Sequence, residues 1–127
     1  MPVLTQVLLE TGPDGRARFV ERPVELDQGQ EMVRLSTVQP VEGMQWRRSP
    51  VGYRSAVHCT TDPQWVLILS GKMEIGLPDG TSRTFTAGEH FFSNDTLPEG
   101  SEFDPSIHGH WSRQVGDEPL VTLFVKT

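Results

Sequence analysis

The chain has 127 residues, 17 acidic against 11 basic side chains, a formal net charge of −6 and a single cysteine, Cys59. This length suits one domain with chain enough to bury a core. The acidic balance without a basic run argues against nucleic acid and anionic membrane surfaces, and one cysteine leaves no internal disulfide. No stretch nears the roughly 20 apolar residues that cross a bilayer. The opening Met-Pro-Val-Leu-Thr-Gln has neither the basic lead nor the apolar core of a secretory leader, so a cytoplasmic protein is expected.

Residues 3–10 are apolar and predict an edge strand, possessing in 16–21 an alternating partner across the turn Gly12-Pro13-Asp14-Gly15. Pro23, Asp27 and Gly29 interrupt any helix. Residues 31–39 alternate and predict a strand ended by Pro40. Residues 43–49 alternate with Met44, Trp46 and Arg48 on one face. Between Gly52 and Gly71, alternation puts Arg54, Ala56, His58 and Thr60 on one face, with Ser55, Val57 and Cys59 on the other. The apolar run 65–69 suits a strand covered on both sides. After the turn Ser70-Gly71-Lys72, residues 73–77 and 82–86 flank Pro78-Asp79-Gly80-Thr81, a hairpin turn in which proline and glycine preset the dihedrals. Residues 90–93 form a short buried strand. Residues 94–107, with two prolines and a glycine, form a long loop of the kind that carries function. Residues 108–115 and 120–126 are the last strands. About ten short strands with regular turn signals and no helix predict an antiparallel sandwich or barrel.

Two spaced frames extend this reading. The first is Gly52, five residues, His58-Cys59-Thr60, three residues, Gln64, six residues, Gly71. The second begins at Gly88, with Asn94-Asp95-Thr96 after five residues, then an inserted loop, Gly109-His110 and Gln114. Their spacing resembles the two motifs of the cupin superfamily, closely in the first and loosely in the second. The resemblance implies an all-β, single-domain antiparallel double-stranded β-helix (the jelly-roll or cupin barrel) over residues 1–127, with lead-in strands over 1–40 and the barrel core over 43–126. It also implies a homodimer paired through sheet edges, with the apolar lead-in 3–9 as a contact. The ligands depart from the motif: Thr60 stands at the second histidine position and Gln64 at the glutamate position.

A mononuclear Fe, Mn, Ni or Zn site wants imidazoles and a carboxylate. His58 and His110 offer two nitrogens and Gln64 a neutral oxygen, so any divalent metal at His58, Gln64 and His110 is expected to bind weakly, unless Asp95 or Glu99 on the loop supplies the charge. Without metal, His58 and His110 are the candidates for general acid and base, because imidazole titrates near neutrality. Trp46, Arg48, Arg54, Thr60, His108 and Trp111 are candidates for lining a substrate pocket. The two arginines suit a carboxylate, although rim charges and core aromatics would look the same in the sequence. Trp65 reads as core or interface. Cys59, opposite His58, reads as a spectator.

Three functions remain open: a small enzyme, metal-dependent or not, acting on a polar or carboxylate-bearing metabolite; a non-catalytic binding or sensing module that has lost the metal; and a dimerisation module. Small-molecule partners are expected, and nucleic acid and membrane are not.

Overall fold

A computed structural model describes residues 3–127; Met1 and Pro2, which open the lead-in and the terminus read for a leader, lie outside the described residues. Eleven strands are present among the described residues: β1 (Val3–Thr11), β2 (Ala17–Glu25), β3 (Gln28–Gln30), β4 (Val33–Leu35), β5 (Gly43–Ser49), β6 (Gln64–Ser70), β7 (Lys72–Gly76), β8 (Ser82–Thr86), β9 (His90–Asn94), β10 (Trp111–Val115) and β11 (Leu120–Lys126). No helix of the described residues is long and apolar enough to cross a membrane.

The strands make a six-stranded sheet, β2-β1-β9-β6-β11-β5, and a three-stranded sheet, β10-β7-β8. The segment 54–58 adds to the smaller sheet through two bridges to the β10 side, Arg54↔Arg113 and His58↔His110. With that segment as a fourth strand, the chain from β5 to β11 falls into two four-stranded orders, β5-β11-β6-β9 and 54–58-β10-β7-β8. This is the strand order of a jelly roll. The fold is therefore all-β, of the double-stranded β-helix type that the two motifs imply.

The period-2 pattern explains which faces meet. Val66 and Ile68 of β6, Phe91 of β9, Ile75 of β7, Phe85 of β8 and Leu120 of β11 point inward, and all are 2% exposed or less. The Phe85 and Phe91 rings stack 4.5 Å apart between the sheets. Each such ring contributes roughly 2–3 kcal/mol by leaving water. Leu9 of β1 closes one end of the core and is fully buried.

Three expectations about the strands are corrected. β1 is not an edge strand: it lies between β2 and β9, antiparallel to the first and parallel to the second. Its β9 side is paired over residues 7–10 only, while its β2 side is paired along the whole strand. In 31–39 only Val33–Leu35 is a strand, paired with β3 alone. Val33 and Leu35 stay half exposed, because this small hairpin pairs with no strand of either larger sheet. The strand expected over 108–115 begins at Trp111, because Gly109 has φ of 85° and breaks the extended run.

Candidate functional site

His58 and His110 come together from segments that are far apart in the chain. Each backbone N–H donates to the other residue's carbonyl at 2.9 Å. Between this bridge and Arg54↔Arg113, four steps on one segment face three on the other. The extra residue is a bulge, and it flips the side-chain parity. Arg54 therefore points out and His58 points in, although simple alternation puts them on one face. Gly109 permits the close approach. A Cβ there would lie 2.6 Å from the His58 carbonyl oxygen, on a backbone already in the left-handed region.

The two imidazole rings lie 4.8 Å apart, tilted by 59°. His110 is 4% exposed and its Nδ1 lies 2.9 Å from Asp95 Oδ2. A carboxylate accepts, so Nδ1 carries the hydrogen. Asp95 is 1% exposed; its other oxygen accepts from the Thr11 hydroxyl at 2.9 Å, and its backbone carbonyl accepts from the Thr60 N–H at 2.7 Å. His58, more exposed, has Nδ1 2.8 Å from the Ala56 carbonyl, so that nitrogen also carries the hydrogen. Both rings thus keep Nε2 without a protein partner among the described residues.

His58, Gln64 and His110 line one cavity of about 90 Å³, room for roughly three waters. Its floor is apolar, made by Val66, Met73, Ile75 and Phe91, and Arg47 and Tyr53 stand at its rim. Arg47 donates to the Tyr53 hydroxyl at 2.6 Å, and its guanidinium lies 4.9 Å from the centre of the Tyr53 ring and 5.6 Å from that of Phe124. No carboxylate pairs with Arg47 among the described residues.

The other expected pocket residues lie elsewhere. Trp46 and Arg48 share a face, as alternation predicts, but it is the outer one. Trp46 is 62% exposed, and the inward position between them is Arg47, opposite buried Thr122. Sequence reasoning passed over Arg47; the signal was the opposite parity of β5, Gln45-x-Arg47-x-Ser49. Arg54 and Trp111 lie together on the outer face of the smaller sheet, the guanidinium 5.6 Å from the indole centre, because the bulge turns Arg54 outward. His108 is buried outside the cavity, its Nδ1 accepting the Asp104 N–H at 3.0 Å, so it braces the long loop. Thr60 reaches the site only indirectly, its hydroxyl 2.9 Å from that of Ser93. Trp65 packs on the outer face, 4.7 Å from the Phe92 ring. Burial, and then the charge of Asp95, push the Cys59 thiol up, which keeps it protonated and unsuited to attack.

The residues do not fit a resident metal ion. Among the described residues no three His, Cys, Asp or Glu side chains gather to hold one. Asp95 stands behind His110, on the Nδ1 side, and both its oxygens are engaged. Two neutral imidazoles and the Gln64 amide would leave a dication unneutralised, short of the ligand sets that catalytic sites use.

The strand order defines a small jelly roll with this histidine pair at one cavity. No protein-family model matches the chain, and no curated protein does. Among solved structures, the chain is similar to the cupin domain of Cnp3 from Schizosaccharomyces pombe, at 15% identity and a TM-score of 0.49, over 98% of this chain and 83% of that one. It is also similar to a protein described as ethanolamine utilization protein Q from Salmonella typhimurium, at 12% identity and a TM-score of 0.42, over 99% and 97%. Likenesses this distant say nothing of activity, and the fold rests on the strand order itself.

Proposed function

We propose that the barrel cavity binds a small carboxylate-bearing molecule, with the carboxylate at Arg47 and the body of the ligand against His58, Gln64 and His110. The observation that carries this reading is the Arg47 guanidinium, held at the cavity rim by Tyr53 and Phe124 with no acidic partner among the described residues. A preorganised guanidinium favours a carboxylate through paired, charge-assisted hydrogen bonds. The Gln64 amide makes no hydrogen bond to the described residues and supplies a further polar contact. The apolar floor and the volume of about 90 Å³ favour a ligand of a few carbons.

A second reading, a non-catalytic binding or sensing module, is favoured by Thr60. It stands at a metal-ligand position of the motif, and its hydroxyl is engaged with Ser93. Both readings share the carboxylate and are tested together. Titration calorimetry with acetate, propionate and pyruvate should show binding, while acetamide and propionamide should not bind. Arg47→Ala should weaken the acids at least tenfold, as loss of a charged hydrogen bond of roughly 1.5–3 kcal/mol requires. Equal binding of acids and amides, or an unchanged Arg47→Ala protein, would refute the reading. Elemental analysis of protein purified without a histidine tag runs alongside; near one equivalent of metal, lost in His58→Ala, would reverse the judgement on the donor set.

A further inference from the structure

We propose that the outer face of the six-stranded sheet holds a second ligand site, for an apolar monocarboxylate of the medium-chain fatty acid kind, with its carboxylate at Arg22 and its tail beneath residues 35–40. The site is separate from the barrel cavity and does not rest on the reading given for it. Residues 35–40 leave β4 and cross the outer face, with a groove on each side. One groove, of about 390 Å³, is lined by Leu8, Arg22, Trp65 and Phe92. The other, of about 460 Å³, is lined by Gln6, Leu67, His90 and Val125, with Leu35 and Val38 of the crossing chain. Trp65 and Gln39 line both, so the two adjoin. Volumes of this size suit a small organic ligand.

The strand register explains why these side chains meet. With Leu9, Phe91 and Val66 inward, Leu8, Phe92 and Trp65 face outward side by side. In the next row Arg22 is opposite Gln6, Gln6 lies against His90, and His90 is opposite Leu67. The face is apolar in its middle and basic at the β2 end. Arg22 has no acidic partner among the described residues, and the carboxylate that shares its groove, Glu10, is paired with Arg18 at 2.9 Å. Gln6 is 8% exposed; its Oε1 has no hydrogen-bond partner, and its Nε2 lies 3.4 Å from His90 Nε2. The amide keeps its shape when turned end for end, with a donor where the acceptor lay. Either way one end of a buried amide lacks a partner, and buried polar groups are as a rule paired. A ligand carboxylate meets both needs, accepting from the Arg22 fork and from the turned Gln6 amide. The tail then replaces water over Trp65, Phe92 and Leu67. From Arg22 on β2 to Leu67 on β6 is three strand spacings, about 14 Å, a length covered by an extended acyl chain of about ten carbons.

The probe is octanoate, followed by fluorescence in a whole chain carrying Trp46→Phe and Trp111→Phe, so that Trp65 alone remains of the three tryptophans. Octanoate should change the Trp65 emission saturably. Decanoate should bind about tenfold more tightly, as two more buried methylenes require. Octanamide should bind about fivefold more weakly than octanoate, or weaker still, having lost the ion pair. Arg22→Gln should weaken octanoate by a similar factor and leave octanamide within about twofold, a pattern that a loosened chain would not give. Arg47→Ala should leave octanoate within about twofold, since distant sites act independently. Equal binding of octanoate and octanamide, or an unchanged Arg22→Gln chain, overturns the place of the carboxylate and with it the proposal. So does a silent Trp65, or an affinity that does not grow with chain length. Octanoate binding lost in Arg47→Ala puts the acid in the barrel cavity and overturns the second site. A chain that sediments as a dimer, and as a monomer after Leu67→Glu, makes the grooves an interface between copies and overturns it likewise.

Discussion

Replacing Asp95 by asparagine and by alanine should give different losses, and the difference follows from the partners. The side chain is 1% exposed and accepts from the His110 Nδ1–H and the Thr11 hydroxyl, each at 2.9 Å. The Thr11 hydroxyl oxygen also accepts the Thr96 N–H at 2.9 Å and lies 2.9 Å from the Thr96 carbonyl, an alternative acceptor for its one hydrogen. In Asp95→Asn the new amide can turn its oxygen to His110 and its nitrogen to Thr11, whose hydroxyl still has the Thr96 carbonyl. Every group stays paired and only the charge is lost. A charged hydrogen bond is worth roughly 1.5–3 kcal/mol and a neutral one roughly 0.5–1.5, so the expected loss is about 1 kcal/mol. In Asp95→Ala the buried Nδ1–H has no acceptor, and the loss should reach about 3 kcal/mol. Urea unfolding at pH 7 with a common slope reads both values. Equal losses, or a loss below about 1 kcal/mol for alanine, would refute the arrangement of Thr11, Asp95 and His110.

Gly109→Ala should destabilise by about 2 kcal/mol or more and abolish carboxylate binding in calorimetry, because the new Cβ meets the His58 carbonyl at 2.6 Å on a left-handed backbone. Gly76→Ala should lift the Trp111 indole, which lies 2.0 Å from where the Cβ would be; its N–H resonance should move while stability falls by about 1–2 kcal/mol. Glu74 is held below its ordinary range by the Ser82 hydroxyl and, against the opposing effect of burial, by Arg113. Its contribution is present above the model-peptide value of 4.5 and is lost as pH falls through the lower folded value. Glu74→Gln should therefore lose stability less steeply than the parent chain on acidification below that pH.

The strands and their turns were legible because most strands bury one face and period-2 alternation records it, although β5 is exposed at every residue but Ser49. β5, β6, β7, β8, β9 and β11 lie close to where the pattern puts them. Motif spacing likewise pointed to His58 and His110 as one site. What alternation cannot record is which face looks inward, and so Trp46 and Arg48 were chosen over Arg47. Nor can it record a bulge: one extra residue between Arg54 and His58 sends them to opposite faces, and nothing in Arg-Ser-Ala-Val-His marks it. Asp95 was visible as a loop carboxylate near the second motif. Its place behind His110 depends on the β1–β9 pairing, a parallel contact between residues more than 80 apart in sequence, and such pairings leave no local trace.

A buried carboxylate beside a buried imidazole is a poor way to hold a barrel together. Desolvating such groups costs several kcal/mol each, and well-packed apolar residues often serve stability equally well or better. The network also demands a bulge and a left-handed glycine at the same bridge. If its role were packing, replacing the whole pair should be as harmful as breaking it. If its role is to aim His110 Nε2 into the cavity, the two should separate. The double variant Asp95→Val with His110→Phe should therefore lie within about 1 kcal/mol of the parent chain, since no unpaired buried group remains, yet it should bind pyruvate more weakly in calorimetry. A double variant as unstable as Asp95→Ala, or one that binds pyruvate like the parent chain, would make the network structural, and its role in the ligand site would lose its physical rationale.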